Sequence, residues 1–262
     1  MQQQIFKEPE KSFWEKIRDL FAPAPSPAPS PVTLTETVTT TVEVTHILEP
    51  LQYIITPVIP RSDDDSTNYW LARRYARYAA HTYGSFSNDI LPGDSKIIEK
   101  HTTYNGLKAT LYENSHEIIC AFAGSETLKD WENNIKQLYG SSPQYEDALV
   151  YGRNLQKRFS NRTIVFVGHS QGGGEAAYCA CNLGAKAETF NPAGLSILTL
   201  CKGNYKSNAS INAYVFATDI LNKLQWAIGA PADGDVHYIS DVNIHEHGFH
   251  GMKGILKYFG II

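Results

Sequence analysis

The chain has 262 residues, a length that suits one α/β domain of about 200–250 residues plus a short appendage. With 42% hydrophobic and 19% charged residues it can bury a sizeable core, which excludes global disorder. A formal net charge of -4 argues against the basic face of a general nucleic-acid binder, so no nucleic-acid partner is expected.

The first 51 residues read differently from the rest. Within 1–21, Phe13, Trp14, Ile17, Leu20 and Phe21 form one apolar stripe of an amphipathic helix over 10–21, opposite Lys11, Glu15, Lys16, Arg18 and Asp19. The polar face mixes signs, which favours docking on the protein's own domain or on a protein partner; lying in a membrane interface is the alternative. Residues 22–31 (APAPSPAPSP) are a Pro-rich, extended linker. Residues 32–51 are rich in Thr and Val, with Val32, Leu34, Val38, Val42 and Val44 on one parity; they read as an extended strand or hairpin, or a flexible stalk. The N-terminus carries charges where a Sec signal would have an uninterrupted apolar region, and no run of about 18 apolar residues exists to span a membrane. The expectation is synthesis in the cytoplasm, with export by a non-classical route or peripheral membrane association left open.

Residues 52–262 read as one domain. Helices are expected over 66–82, 143–159, 172–183, 193–202 and 249–259. Strands are expected over 107–113, 117–122, 163–167, 187–190, 213–216 and 236–239, with a turn at Asn114-Ser115 between the first two. Strands alternating with helices predict an α/β fold, a mostly parallel sheet covered on both faces. The four cysteines, Cys120, Cys179, Cys181 and Cys201, form no CxxC pair and sit in apolar or helical surroundings. They read as reduced, mostly buried thiols rather than zinc ligands or a disulfide framework.

The segment Gly168-His169-Ser170-Gln171-Gly172 follows the strand over 163–167 and precedes a helix. G-x-S-x-G is weak as a bare string. In a strand–turn–helix context it marks a sharp turn that raises the Ser170 hydroxyl off the sheet. Gly168 and Gly172 allow close backbone approach, and the helix N-terminus favours developing negative charge. A Gly-rich turn with no chemistry, or a phosphate loop, is the competing reading, but neither GxxxxGK[ST] nor GxGxxG is present. Ser170 is therefore the candidate nucleophile. It needs a general base, which needs a carboxylate, and in this fold the chain order is Ser, Asp/Glu, His. His250, in a Gly-rich loop before the last helix, is the chosen base; His247, His245 and His237 are the alternatives. Asp219, at the end of a strand, is the chosen acid, with Asp233, Asp235 and Asp241 as alternatives. His169 is too close in sequence to turn back on Ser170 and is assigned to packing of the elbow.

GHSQGG, taken with the upstream segment from Ile118 through Gly124-Ser125 to Asp130-Trp131 and Asn134, resembles the class 3 (fungal-type) lipases of the α/β-hydrolase fold. The resemblance covers roughly residues 66–258. It implies that Ser125 and Gln171 supply the backbone N–H groups of an oxyanion hole, and that Asp130-Trp131 brace the loop or merely anchor it. It also implies a base near the C-terminus followed by an apolar residue, as His250 is by Met252. Three positions depart from the family's pattern: Ala123 for Arg, Glu175 for a small apolar residue, and Ile220 for the Pro that usually follows the acid.

The expected function is thus hydrolysis of carboxylic esters of lipids, of lipase or phospholipase A1 type, through Ser170, Asp219 and His250, with no cofactor and no metal. The partner is a lipid or ester substrate at a membrane or lipid surface. Leu138, Tyr139, Leu221, Leu224, Trp226 and Ile228 would line an apolar pocket or lid, or belong to the core. A non-lipid serine esterase, peptidase, thioesterase or acyltransferase is one alternative, and a catalytically idle binding module is another. The N-terminal helix and its tether also suit a docking or export element of a lipase delivered as a toxin.

Overall fold

Seven strands form one sheet in simple sequence order: β1 (Lys96–Thr102), β2 (Lys108–Glu113), β3 (Glu117–Phe122), β4 (Thr163–His169), β5 (Lys186–Phe190), β6 (Ser210–Phe216) and β7 (Asp235–Ile239). The computed structural model describes residues 66–124, 143–195, 206, 208–219, 221–222, 225, 232–239 and 250–262. The helix expected over 10–21, the linker over 22–31 and the extended segment over 32–51 all lie outside the described residues.

The sheet joins two regimes. β1, β2 and β3 pair antiparallel, and β3 through β7 pair parallel, so the sheet is mostly parallel, as expected. Alternation along each strand divides its side chains between two cores. Ile118, Cys120, Phe122, Ile164 and Phe166 face one cluster, together with residues of α2 (Pro143–Arg158) and α3 (Gln171–Leu183). Ile119, Ala121, Val165 and Val167 face the other, under α1 (Ser66–His81) and α4 (Met252–Tyr258). Burial on both sides is why β3 and β4 read as continuous apolar runs. Phe166 is fully buried; cutting such a side chain to Ala costs about 3–5 kcal/mol. α2 and α3 share a face because successive crossovers between neighbouring parallel strands take the same hand.

Two expectations need correction. β1 was not read from the sequence. Its KIIEKHT is an edge strand with a partly exposed pattern and a register shift between Ile97 and Glu99, so it lacks both alternation and an apolar run. The helix expected over 193–202 does not begin there. Residues 193–195 are not helical, and the Ala193 N–H is bonded to the Ser170 carbonyl at 2.8 Å; the remainder lies outside the described residues. The other helices and strands fall within a few residues of expectation. Among the described residues no helix is long and apolar enough to cross a membrane.

α4 is short but firmly seated. Ile255, Leu256 and Phe259 are buried in the second cluster, and the Phe259 ring packs edge-on to Phe190 and Tyr214. Arg73 on α1 donates to the Phe259 and Gly260 carbonyls at 2.8 and 3.1 Å. This anchoring fixes the residues just ahead of α4, Gly251 and His250.

Candidate active site

The turn from β4 into α3 has the strain that the motif requires. Ser170 sits at φ 58° and ψ −128°, a region that non-glycine residues seldom occupy. Hydrogen bonds over-determine it. The Ser170 N–H donates to the Phe190 carbonyl at 3.1 Å, and the Ser170 carbonyl accepts from Gly173, Gly174 and Ala193. A Cβ on Gly168 would overlap the Gly172 backbone, and one on Gly172 would overlap the Phe122 carbonyl. The two motif glycines are therefore needed for β4, α3 and the end of β3 to pack this closely.

The end of β3 also reaches Ser170. A Cβ on Gly124 would lie 3.1 Å from the Ser170 Cβ, 2.7 Å from the His169 carbonyl and 2.5 Å from the Tyr83 hydroxyl. Ser125 is the next residue; it and Asp130-Trp131 lie outside the described residues.

Asp219 and His250 come together across 31 positions. His250 Nδ1 is 2.6 Å from Asp219 Oδ2. The carboxylate is fully buried, and its other oxygen accepts from the Asn222 backbone N–H at 2.9 Å and side chain at 3.3 Å. With both oxygens engaged the carboxylate cannot swing, and an ionised Asp219 accepts the Nδ1 proton, leaving Nε2 as the basic nitrogen. Gly124, Ser170 and Asp219 all stand just beyond the C-terminal ends of strands of the parallel sheet, on one side, where sites gather in open α/β folds.

His169 does more than fill space. It is buried, and its ring stands 5.0 Å from that of His250. Its Nε2 lies 2.8 Å from the His250 backbone carbonyl and its Nδ1 lies 2.8 Å from the Tyr83 hydroxyl. Burial, reinforced by the neighbouring His250, pushes its pKa down to about 3, so the ring is neutral. A carbonyl can only accept, so Nε2 carries the proton and Nδ1 accepts from Tyr83. The sequence signals none of this, because Tyr83 and His250 lie 86 and 81 positions away.

The alternatives are placed elsewhere or outside the description. His237 stacks on Tyr214 at 5.0 Å and bonds Asn212 at 3.3 Å. Asp233 accepts from the Leu195 N–H at 2.9 Å, and Asp235 begins β7, exposed. His245, His247 and Asp241 lie outside the described residues, as do Leu138, Tyr139, Leu224, Trp226 and Ile228; Leu221 is buried. Cys120, Cys179 and Cys181 are buried thiols in no disulfide, as expected, and Cys201 lies outside the described residues.

Residues 85–255 match the Tle-like phospholipase domain of the phospholipase-like family. An extracellular phospholipase A1 of Serratia liquefaciens is 38% identical over 101 residues, which is 38% of this chain and 31% of that protein; the match spans about a third of the relative's length. Among solved structures, a Rhizomucor miehei lipase–propeptide complex superposes with a TM-score of 0.56 at 17% identity, covering 75% of this chain and 80% of that one. A triacylglycerol lipase whose catalytic centre is described as a serine protease triad gives 0.52 at 16% identity, over 76% and 96% of the two chains. Lipase II of Rhizopus niveus gives 0.51 at 14% identity, over 66% and 81%. These likenesses establish the α/β-hydrolase fold of the fungal lipases, and the domain match over residues 85–255 establishes that the chain belongs to the Tle-like phospholipase family.

Proposed function

We propose that the protein is a serine hydrolase of lipid carboxylic esters, of phospholipase A1 or lipase type, with Ser170 as nucleophile, His250 as base and Asp219 as its orienting carboxylate. The observation that carries this reading is the 2.6 Å contact between His250 Nδ1 and the buried Asp219 carboxylate, at the same side of the sheet as the strained Ser170. Membership of a phospholipase family and the phospholipase A1 relative support a lipid acyl ester as substrate.

The chemistry follows from the proton positions. His250 Nε2 takes the Ser170 proton as the oxygen attacks the ester carbonyl carbon. The resulting oxyanion is met by the backbone N–H groups of Gln171 and, by resemblance, Ser125. His250 then gives the proton to the departing alcohol oxygen, leaving an acyl-Ser170. Water, deprotonated by the same nitrogen, attacks the acyl carbon and releases a fatty acid. Action at a lipid surface, and outside the cell that makes the enzyme, belongs to the same proposal. It is supported by the extracellular relative and by the apolar stripe over 10–21. Deletion of residues 1–50 should then weaken vesicle binding or delivery while leaving hydrolysis of a soluble ester intact.

The test is a fluorophosphonate probe and a substrate panel of short-chain esters, long-chain triglycerides and phospholipids, with wild type and Ser170→Ala. Wild type should be labelled at Ser170 and release fatty acid from phospholipid, and Ser170→Ala should do neither. Absence of labelling in wild type, or full hydrolysis by Ser170→Ala, would overturn the proposal. A preference for short or non-lipid esters would retain the nucleophile and reject the substrate.

A further inference from the structure

Glu175 is an expensive residue in an odd place. It lies one turn after Gln171 on α3, where it is 1% exposed, and Cys120, Cys179 and Tyr145 are close enough to feel its charge. Its Oε2 has no hydrogen-bond partner among the described residues. A buried carboxyl with an unsatisfied oxygen destabilises a helix core, so packing alone is a poor reason for it.

Its other oxygen has a clear task. Gln171 Nε2 donates to Glu175 Oε1 at 3.2 Å and also to Gln144 Oε1 on α2. The Gln171 side chain is thus held between two acceptors on two helices. Gln171 directly follows the nucleophile, and its backbone N–H is the proposed oxyanion donor. Fixing the side chain restricts the Gln171 backbone, and with it the direction of that N–H.

We infer that Glu175 is a positioning residue: with Gln144 it clamps the Gln171 side chain and so aims the oxyanion-hole N–H beside Ser170. The inference rests on the serine-hydrolase reading above. Burial raises the Glu175 pKa to about 8, with the nearby Asp147 adding to the effect and the Gln171 bond opposing it. Among the described residues the titratable groups around it are Tyr145 and Asp147 from α2, Cys120 from β3 and Cys179 from α3, and none of these is a cation that would accept the ionised form. Ionisation strengthens the bond from Gln171 but leaves a buried charge with no cation beside it among the described residues; the first turns of α3 must open toward water to solvate that charge, and this opening releases the clamp. This adds an alkaline limb to activity that does not come from His250, whose neutral form is the base.

Two variants separate positioning from packing. Glu175→Gln keeps a carbonyl acceptor and has no titrating proton. Glu175→Leu keeps the volume and removes the acceptor. On the full chain, kcat and KM for p-nitrophenyl butyrate are measured from pH 6 to 10, with fluorophosphonate labelling rates and melting curves. Glu175→Leu should lose about tenfold in kcat at pH 7 with KM unchanged and labelling slowed in parallel. Glu175→Gln should stay within about twofold of wild type at pH 7 and lose the fall in kcat near pH 8. Wild-type kcat in a folded Glu175→Leu, or a Glu175→Gln profile that superimposes on wild type, overturns the inference. If Glu175→Leu does not fold, the Glu175→Gln profile alone decides. Ser170→Ala runs alongside: loss of activity there with unaltered Glu175 variants rejects the clamp only, whereas activity retained there rejects the serine-hydrolase reading.

Discussion

His169, the residue before the candidate nucleophile, holds the backbone of the candidate base: its Nε2–H donates to the His250 carbonyl at 2.8 Å. The elbow and the loop ahead of α4 are thus joined by one hydrogen bond, and Tyr83 fixes the tautomer that makes it from the other side of the ring at 2.8 Å. His169→Phe should fill the space yet leave the His250 carbonyl and the Tyr83 hydroxyl without this partner. The expected result is a loss of about ten- to a hundredfold in kcat, from a buried hydrogen bond worth about 1–3 kcal/mol, with KM little changed. Stopped-flow ester hydrolysis and labelling rates check it. Wild-type kcat in His169→Phe would mean that α4 alone holds His250.

Asp219→Asn should leave the fold intact and disable the base. The Asn amide can take either face, but its NH2 toward Nδ1 would force the His250 proton onto Nε2, the nitrogen that must accept from Ser170. If Asp219 orients the base as proposed, a loss of about ten-thousandfold in kcat is expected, the size seen for established triad carboxylates. In the background of Ser170→Ala the same change should cost almost nothing further, because in the proposed mechanism the three residues act as a unit. An additive loss would argue for separate roles.

Gly124→Ala tests the approach of β3 to the elbow. The added Cβ would stand 2.5 Å from the Tyr83 hydroxyl and 2.7 Å from the His169 carbonyl, so one of them must move. Overpacking of this kind costs about 1–3 kcal/mol in stability. Because Tyr83 bonds His169 and His169 bonds the His250 carbonyl, displacing either group disturbs His250 and kcat should fall as well. A melting temperature and kcat equal to those of wild type would show that the strand end has slack.

The elbow was legible because its demands are local. A buried parallel strand must be apolar on both faces, the turn must lack two Cβ atoms, and the helix must follow at once; β4, Gly168, Gly172 and α3 meet these demands within about twenty residues. The pairing of Asp219 with His250 was legible through chain order and position at strand and helix ends. Three features were not. β1 is a charged edge strand whose pairing with β2 is decided by the neighbour rather than by its own pattern. The run over 193–202 reads as a helix between two strands, but the Ser170 carbonyl and the Asp233 carboxylate capture the N–H groups of Ala193 and Leu195 at its start. The partners of His169 and Glu175 lie on other elements, so their chemistry exists only once the chain is folded. Glu175 did stand out as a departure from the family's pattern, and that was the one trace of the clamp in the sequence.

Stability should decline from mildly acidic to mildly alkaline pH, and Glu188 offers a clean test away from the candidate active site. Glu188 is buried on β5, where its Oε1 accepts from Asn212 at 2.9 Å. Burial raises its pKa from 4.5 to about 7, with the Asn212 and Tyr214 bonds opposing. A raised carboxyl pKa means that the unfolded chain ionises first. Between pH 4.5 and 7 the folded state binds the extra proton, so stability falls as pH rises and the loss is complete above 7. Asp233, raised to about 6, and Glu175, raised to about 8, act in the same direction over their own ranges. His169 opposes them only below pH 6.5, because its lowered pKa makes the folded state release a proton between about 3 and 6.5. Glu188→Gln keeps an acceptor for Asn212 and removes the ionisation. It should match wild type near pH 4.5, melt about 2–4 °C higher at pH 8 for each kcal/mol relieved, and flatten the slope between. Calorimetry at half-unit pH steps would show it. Parallel wild-type and Glu188→Gln curves across this range would mean that Glu188 is already ionised and solvated in the folded protein.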